Sequence, residues 1–271
     1  MLGGPKELRI MTYNIHQCRG EDGKSSPIRI ADVIQSHHPD ILGLQEVGSA
    51  SNEGIGFSNQ ALRIARSLGM HCDYFPAAPK NTNDMGIAIL SRFPMKRMFA
   101  RALPRLHGET DLITRNVLWV EVMIKTKKIQ VINVHLSLRQ RESLAQIDWL
   151  LSEKSTGQAA QRGPVVLLGD FNTSPSMQAY NRISRQFRDV LSEVRNAGEG
   201  NTWPSHRPRI RTDYIFVGES FSVRDAKIPH SATEKAASDH LPLIATLNFS
   251  KQNQPRQMDV VEAGGPERKA A

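Results

Sequence analysis

The sequence predicts an α/β protein built on two packed mixed β-sheets with helices on their outer faces. Three observations predict it. Apolar runs of strand length recur from one end of the chain to the other. Amphipathic helical stretches separate several of them in a β-α-β-α order. Uninterrupted apolar strands such as ILGLQ and VVLLG fall on both sides of the midpoint, which calls for more than one buried sheet. The 271 residues suffice for one large domain, and 39% hydrophobic with 23% charged residues is the balance of a packed core.

The first strand is LRIMTYN, residues 8–14, followed by a loop carrying Gly20 and Gly23. IRIADVIQSHH then places apolar residues at helical spacing until Pro39 stops it. DILGLQEV, residues 40–47, is a buried strand ending in a carboxylate. Residues 58–68 form an amphipathic helix with Ser58 as its N-cap and Gly69 as its stop. Strands are predicted at 71–75, 85–91, 95–101, 115–125 and 128–136, the last two joined by a polar turn at 125–128. A helix at 141–152 and a strand at 164–172 follow, then a helix at 176–187. A loop at 197–210, rich in Gly, Pro and Arg, leads to strands at 211–217, 221–228 and 241–248. The domain is expected to span residues 1–250, and 251–271 to form a loose polar tail.

Composition excludes several classes. No window of 18 apolar residues exists, so no transmembrane helix is expected. The start shows neither a basic segment nor a long apolar one, so it does not read as a signal peptide. Two cysteines are too few for a disulfide framework or a cysteine-based zinc site. A cytoplasmic monomer with no obligate protein partner is expected. The net charge is +8, of which the tail carries +1, and a basic domain favours a polyanionic partner.

Polar residues gather where apolar strands run out. These are Asn14, Glu46, His135, Asp170 and Asn172, with Asp213 opening a strand and Asp239 and His240 preceding the last one. Singly, each has an ordinary explanation as a loop residue, a turn or a hydrogen-bonded histidine. Together they supply hard oxygen donors for Mg²⁺ or Mn²⁺, acids able to take a proton from water, and histidines able to stabilise an oxyanion. HExxH, GxxxxGK[ST] and GxSxG are absent, so zincin, P-loop and serine-elbow chemistries are excluded.

The ordered series TYNIH (12–16), LQEV (44–47), NVHLSL (133–138), GDFNTSP (169–175), RTDYIFV (211–217) and SDHLP (238–242) resembles the endonuclease/exonuclease/phosphatase superfamily over residues 8–248. Deoxyribonuclease I, abasic endonucleases, neutral sphingomyelinases and inositol polyphosphate 5-phosphatases belong to it. The resemblance implies a deoxyribonuclease I-like four-layer α/β sandwich and a metal-dependent phosphoesterase. It implies Glu46 as main metal ligand, with Asn14 beside it and Asp239 as a second metal-side acid. Asp170 would orient or deprotonate the attacking water, with Asn172 as its partner at the phosphate. His240, paired with Asp213, would contact the scissile phosphate. His135 would stand near the leaving group, and Arg115 would face the phosphate. Whether Asp170 or the Asp213–His240 pair is the base stays open.

The pattern after His135, with Arg141, Glu142 and Gln146, is similar to small bacterial members, although a capped, solvated helix face explains it equally. Cys18 reads as a small loop residue, and Trp203 as covering the core rather than stacking on a base. Nucleic acid ranks first as substrate on two basic clusters, Lys96, Arg97, Arg101 and Arg105, and Arg207, Arg209 and Arg211. Those clusters are equally explained as solvated surface. A small-molecule or lipid-headgroup phosphate is the alternative, and a non-catalytic binding module ranks last.

Overall fold

The computed structural model describes residues 7–48, 59–76, 85–106, 114–195 and 200–250, apart from the side chain of Glu153. The expected tail at 251–271, and Ser58, lie outside the described residues.

The first sheet comprises β1 (Glu7–Asn14), β2 (Ile41–Gly48), β3 (His71–Phe75), β4 (Met85–Ser91), β11 (Phe221–Lys227) and β12 (Leu243–Phe249), in the order β11-β12-β1-β2-β4-β3. The second comprises β5 (Met95–Ala102), β6 (Asn116–Ile124), β7 (Lys127–His135), β8 (Val165–Asp170), β9 (Arg188–Asp189) and β10 (Asp213–Val217), in the order β5-β6-β7-β8-β10-β9. Each sheet is mixed, with one parallel pair near its centre, β1–β2 and β7–β8, flanked by antiparallel neighbours.

One apolar core lies between the sheets and includes Ile10, Ile41, Ile89, Val120, Val131, Leu168 and Ile215. Helices α1 (Pro27–His37) and α2 (Gln60–Leu68) bury Ile30, Val33, Ile34 and Ile64 against the outer face of the first sheet. Helices α3 (Gln140–Leu150), α4 (Gln158–Arg162) and α5 (Gln178–Ile183) bury Ile147, Leu150, Ala159 and Ile183 against the second. Four layers result. Both faces of the central strands are covered, which is why they read as continuous apolar runs. Among the described residues no helix is long and apolar enough to cross a membrane.

Several elements differ from the sequence expectation. Asn59, whose side chain accepts from Leu62 N, caps α2. The helix expected at 141–152 ends at Leu150, and a π-helical turn, Glu153–Gly157, leads into α4. The helix expected at 176–187 is confined to Gln178–Ile183. The strand expected from 211 starts at Asp213; Ile210 pairs with Trp203 in a small hairpin, and Thr212 N donates to Thr202 Oγ1 at 3.2 Å. A short helix, α6 (Ala232–Ala237), is started by a capping box between Ser231 and Glu234 that the sequence reading passed over. Cys18 lies in the short turn between β1 and α1, with its side chain fully buried against α1 and the first sheet. The polar turn expected at 125–128 is confined to Lys125 and Thr126, with Lys125 at φ 56° and Lys127 already paired in β7.

Candidate active site

The two parallel pairs end side by side, and their carboxyl ends carry the chemistry. Asn14 ends β1, His135 ends β7 and Asp170 ends β8. Asp213 opens β10 directly opposite Asp170, and Asn116, next to Arg115, opposes His135. His240 and Asp239 arrive on the segment between α6 and β12. Seven of the nine residues singled out in the sequence, Glu46, Arg115, His135, Asp170, Asn172, Asp239 and His240, line one cavity of about 720 Å³. The other two, Asn14 and Asp213, stand behind it and bond to residues that line it.

Glu46 reaches the cavity through a backbone irregularity. The β2–β4 register runs to Leu44↔Ala88 and resumes at Val47↔Gly86, so Gln45 and Glu46 together oppose Ile87. Glu46 itself adopts φ 53°, a left-handed conformation that a non-glycine residue holds only under constraint. The bulge turns Glu46 outward while Gln45, wholly buried, points between the sheets. There its amide donates to Asn133 Oδ1 at 2.7 Å and to Thr12 Oγ1 at 3.1 Å. Asn133, from β7 in the opposite sheet, donates both amide hydrogens to strand carbonyls beside the bulge, Leu44 O at 2.9 Å and Ala88 O at 2.8 Å. A Cβ on Gly43 would fall 2.1 Å from Leu168 Cδ1 and 2.9 Å from Asn133 Cγ, so glycine there admits the clamp.

Asn14 joins the two sheets' carboxylates. Its Nδ2 donates to Glu46 Oε1 at 3.2 Å and to Asp170 Oδ2 at 3.0 Å, and its Oδ1 accepts from His16 N at 3.1 Å. Ser238 Oγ donates to Asn14 O at 2.8 Å, which ties the His240 segment to the end of β1. Asn172, at φ 47°, donates from its backbone N to Asp170 Oδ1 at 2.9 Å and from its side chain to Leu136 O at 2.9 Å. A Cβ on Gly169 would lie 2.0 Å from Val134 O, so the approach of β7 to β8 next to Asp170 also requires glycine.

The charges are set by burial and by partners. Burial and the neighbouring Asp213 raise the Asp170 carboxyl to about 7, against the opposing pull of His240. Burial draws the pKa of His240 down, but Asp213, with Asp170 and Asp239, outweighs it and holds the imidazole at about 10. His240 Nδ1 donates to Asp213 Oδ2 at 2.9 Å, leaving Nε2 3.9 Å from Asp170 Oδ2. His135 is the reverse case. Burial, then Arg115 and His240, push its pKa well below the usual histidine value. Arg115 Nη1 donates to His135 Nε2 at 2.6 Å, so this imidazole is neutral with its proton on Nδ1.

The donor set fits a hard divalent cation. Glu46, Asp170 and Asp239 offer carboxylate oxygens to one cavity, and Asp170 is a buried acid short of positive charge. Asp213 Oδ1 is buried without a hydrogen-bond partner among the described residues. Asp170, Asp213 and His240 also present ligand atoms within 4.8 Å of one another. The 2.9 Å bond from His240 Nδ1 to Asp213 occupies that nitrogen, so the carboxylates are the better ligands.

A model of the Endonuclease/Exonuclease/phosphatase family matches residues 11–240. The chain belongs to that family. YbhP of Escherichia coli is 24% identical over 254 residues, covering 89% of this chain and 96% of its own. An endonuclease/exonuclease/phosphatase structure from Beutenbergia cavernae superposes with a TM-score of 0.73 at 24% identity, over 90% of this chain and 72% of its own. A mannosyl-6-phosphatase from Bacteroides thetaiotaomicron superposes with a TM-score of 0.70 at 20% identity, over 89% of this chain and all of its own. The family resemblance seen in the motifs and the deoxyribonuclease I-like sandwich are therefore both present, and the activity class is phosphoester hydrolysis.

Three features of the site escaped the sequence reading. Asn133 and Gln45 lay inside quoted motifs without a role, although the amide of Asn133 within the apolar run VINV is itself a signal of buried polar work. Trp203 lines the cavity at 38% exposure and donates to Asp239 Oδ2 at 3.3 Å, so it does not cover the core. Glu142 and Gln146 are buried, and Gln146 accepts from Ser137 N at 2.9 Å, so they shape the loop after His135 rather than a solvated face.

Proposed function

We propose that the protein is a divalent-cation-dependent phosphodiesterase that cleaves a phosphate ester by in-line attack of water. The observation that carries this reading is the asymmetry of two adjacent groups, an acid held near neutrality at Asp170 and an imidazole held charged at His240. A charged His240 cannot take a proton, and it donates from Nε2 to a non-bridging phosphate oxygen. Asp170 is the group that accepts the water's proton. Asn14 fixes the Asp170 carboxylate for that step, and Asp213 holds the His240 ring and its charge. Arg115 adds positive charge beside the phosphate, and neutral His135 keeps that guanidinium in place. A Mg²⁺ or Mn²⁺ held by Glu46, with Asp239 on the same side, supplies Lewis-acid neutralisation of the phosphate charge when bound.

The nucleic-acid reading rests on the two basic clusters, and their surroundings narrow it. Lys96 and Arg97 sit at the end of β5 remote from the site, and Arg97 pairs with Asp73. Arg101 stacks over Trp149 at 5.0 Å, and Arg211 is buried against Asp189 and Tyr214. Lysine and arginine on an edge strand also blunt it against pairing. Turnover of bis(p-nitrophenyl) phosphate with Mg²⁺ tests the catalytic reading. Wild-type turnover by Asp170→Ala or His240→Ala overturns it.

A further inference from the structure

Most of the large apolar side chains left in water among the described residues lie together. Among the described residues Ile28, Leu106, Leu138, Met177, Trp203 and Ile210 are exposed. Four of the six, Leu138, Met177, Trp203 and Ile210, line the catalytic cavity. They come from three separate segments. Leu138 follows β7, Met177 precedes α5, and Trp203 and Ile210 face each other across a short hairpin. Leu106 lies on the segment that leaves β5 beside Arg115, where Leu103 N donates to Arg115 O at 2.8 Å. Contributions from unconnected loops converging on one rim mark a functional surface.

The hairpin is held out in solvent by bonds rather than left loose. Thr202 N and Trp203 N both donate to Ile210 O, at 2.9 and 3.0 Å, and Ile210 N donates to Trp203 O at 2.9 Å. Ser205 N donates to Asp239 O at 2.7 Å and Leu241 N to Thr202 O at 2.8 Å, which fastens the hairpin to the catalytic segment. Trp203 and Ile210 therefore cannot fold back onto the core without disturbing the site.

Charge accompanies the apolar groups. Three of them have an exposed arginine as their chain neighbour, as Arg105–Leu106, Leu138–Arg139 and Arg209–Ile210. Aliphatic side chains, one tryptophan and interleaved arginines suit the boundary of an anionic bilayer, where the apolar groups enter the acyl region and the guanidinium groups meet lipid phosphates. Single-stranded nucleic acid is gripped by several aromatic platforms, and among the described residues lining this rim Trp203 is the one Trp, Tyr or Phe.

Resting on the phosphodiesterase reading, we infer that the cavity mouth docks on an anionic membrane surface and that the substrate is the phosphodiester of an amphiphile. One water is consumed. Its oxygen bonds to phosphorus as the P–O bond to the leaving group breaks. Its proton passes to Asp170, which afterwards returns one proton to solvent, and the leaving oxygen takes the electron pair of the broken bond and one proton from solvent, departing as an alcohol and giving a phosphomonoester.

The full-length chain with Mg²⁺ is sedimented with vesicles of phosphatidylglycerol and phosphatidylcholine, and with vesicles of phosphatidylcholine alone. Vesicle-borne phosphatidylglycerol, bis(p-nitrophenyl) phosphate and a single-stranded oligonucleotide are assayed in parallel. The wild type is expected to partition onto the anionic vesicles and to cleave their lipid. Leu138→Glu and Ile210→Glu, both at exposed positions, are expected to lower partitioning at least tenfold. Turnover of the vesicle lipid should fall further in these variants than turnover of the soluble diester. Wild type that fails to sediment with anionic vesicles while hydrolysing the soluble diester overturns the inference and leaves the phosphodiesterase reading intact. So does oligonucleotide cleavage that Trp203→Ala abolishes while vesicle binding persists, because the rim then serves nucleobases. Vesicle binding with no turnover of any diester keeps the docking surface but overturns the lipid substrate, together with the phosphodiesterase reading on which it rests.

Discussion

Replacing Asp170 with asparagine is expected to stabilise the metal-free protein at alkaline pH while removing its turnover. Asp170 is 1% exposed, and its carboxyl is raised from 3.8 to about 7 by burial and by Asp213. In the unfolded chain the acid ionises near its ordinary value, so between about pH 4 and pH 7 the folded protein binds the extra proton. Stability is therefore fully present below pH 4 and is lost as pH rises through 7. A rise from 3.8 to about 7 corresponds to about 4 kcal/mol in full, of which about 3 kcal/mol falls between pH 5 and pH 8. Asparagine cannot ionise. It sets an amide against the Asn14 amide, however, and that lost bond costs about 1 kcal/mol. The difference in unfolding free energy between variant and wild type should thus move in favour of the variant by about 3 kcal/mol from pH 5 to pH 8. Urea denaturation of EDTA-treated protein at both pH values measures it; His240 loses the Asp170 charge that helps raise its pKa, so its own loss of stability with rising pH is smaller in the variant and adds to the difference in the same direction. Turnover should fall about 10²–10⁴-fold, as for loss of a general base. A wild type whose metal-free stability is flat over this range, with a variant no better at pH 8, would refute the assignment of a strained, cation-seeking acid.

Asp213→Asn removes the main partner that holds His240 charged, so the pKa of His240 should fall from about 10 toward 6.5. The alkaline limb of the pH–rate profile on bis(p-nitrophenyl) phosphate should move down with it. Glu46→Gln should abolish the Mg²⁺-induced rise in Tm with no change in far-ultraviolet circular dichroism. Glu46→Gly should be more stable than Glu46→Ala by about 1 kcal/mol, since φ 53° suits glycine; chemical denaturation compares the two. Asn133→Leu removes two donated bonds and one accepted from Gln45, and should cost about 3 kcal/mol at about 1 kcal/mol each. It should also lower turnover, because the bulge that aims Glu46 loses its clamp. Calorimetry and the diester assay read the two effects separately.

Much of this was legible in the chain itself. Strands buried on both faces announce themselves as unbroken apolar runs, and polar residues stand out where such runs stop, which is why Asn14, Glu46, His135 and Asp170 are visible without coordinates. What a residue does once it arrives depends on neighbours distant in sequence. Asp170 and Asn14 are 156 positions apart, yet share a hydrogen bond. Both imidazoles are buried, and their opposite charge states follow from burial with Arg115 beside His135 and from Asp213 outweighing burial at His240. Trp203 could not be placed at the cavity rim from its own segment, because the bonds that hold it there run to Ile210 and Asp239. The sequence by itself determined the layered architecture and the inventory of reactive groups, since periodicity and residue type are local properties. Only the tertiary structure decided protonation, the aim of Glu46 and the apolar character of the entrance, since desolvation, charge and exposure are set by whatever the fold brings near.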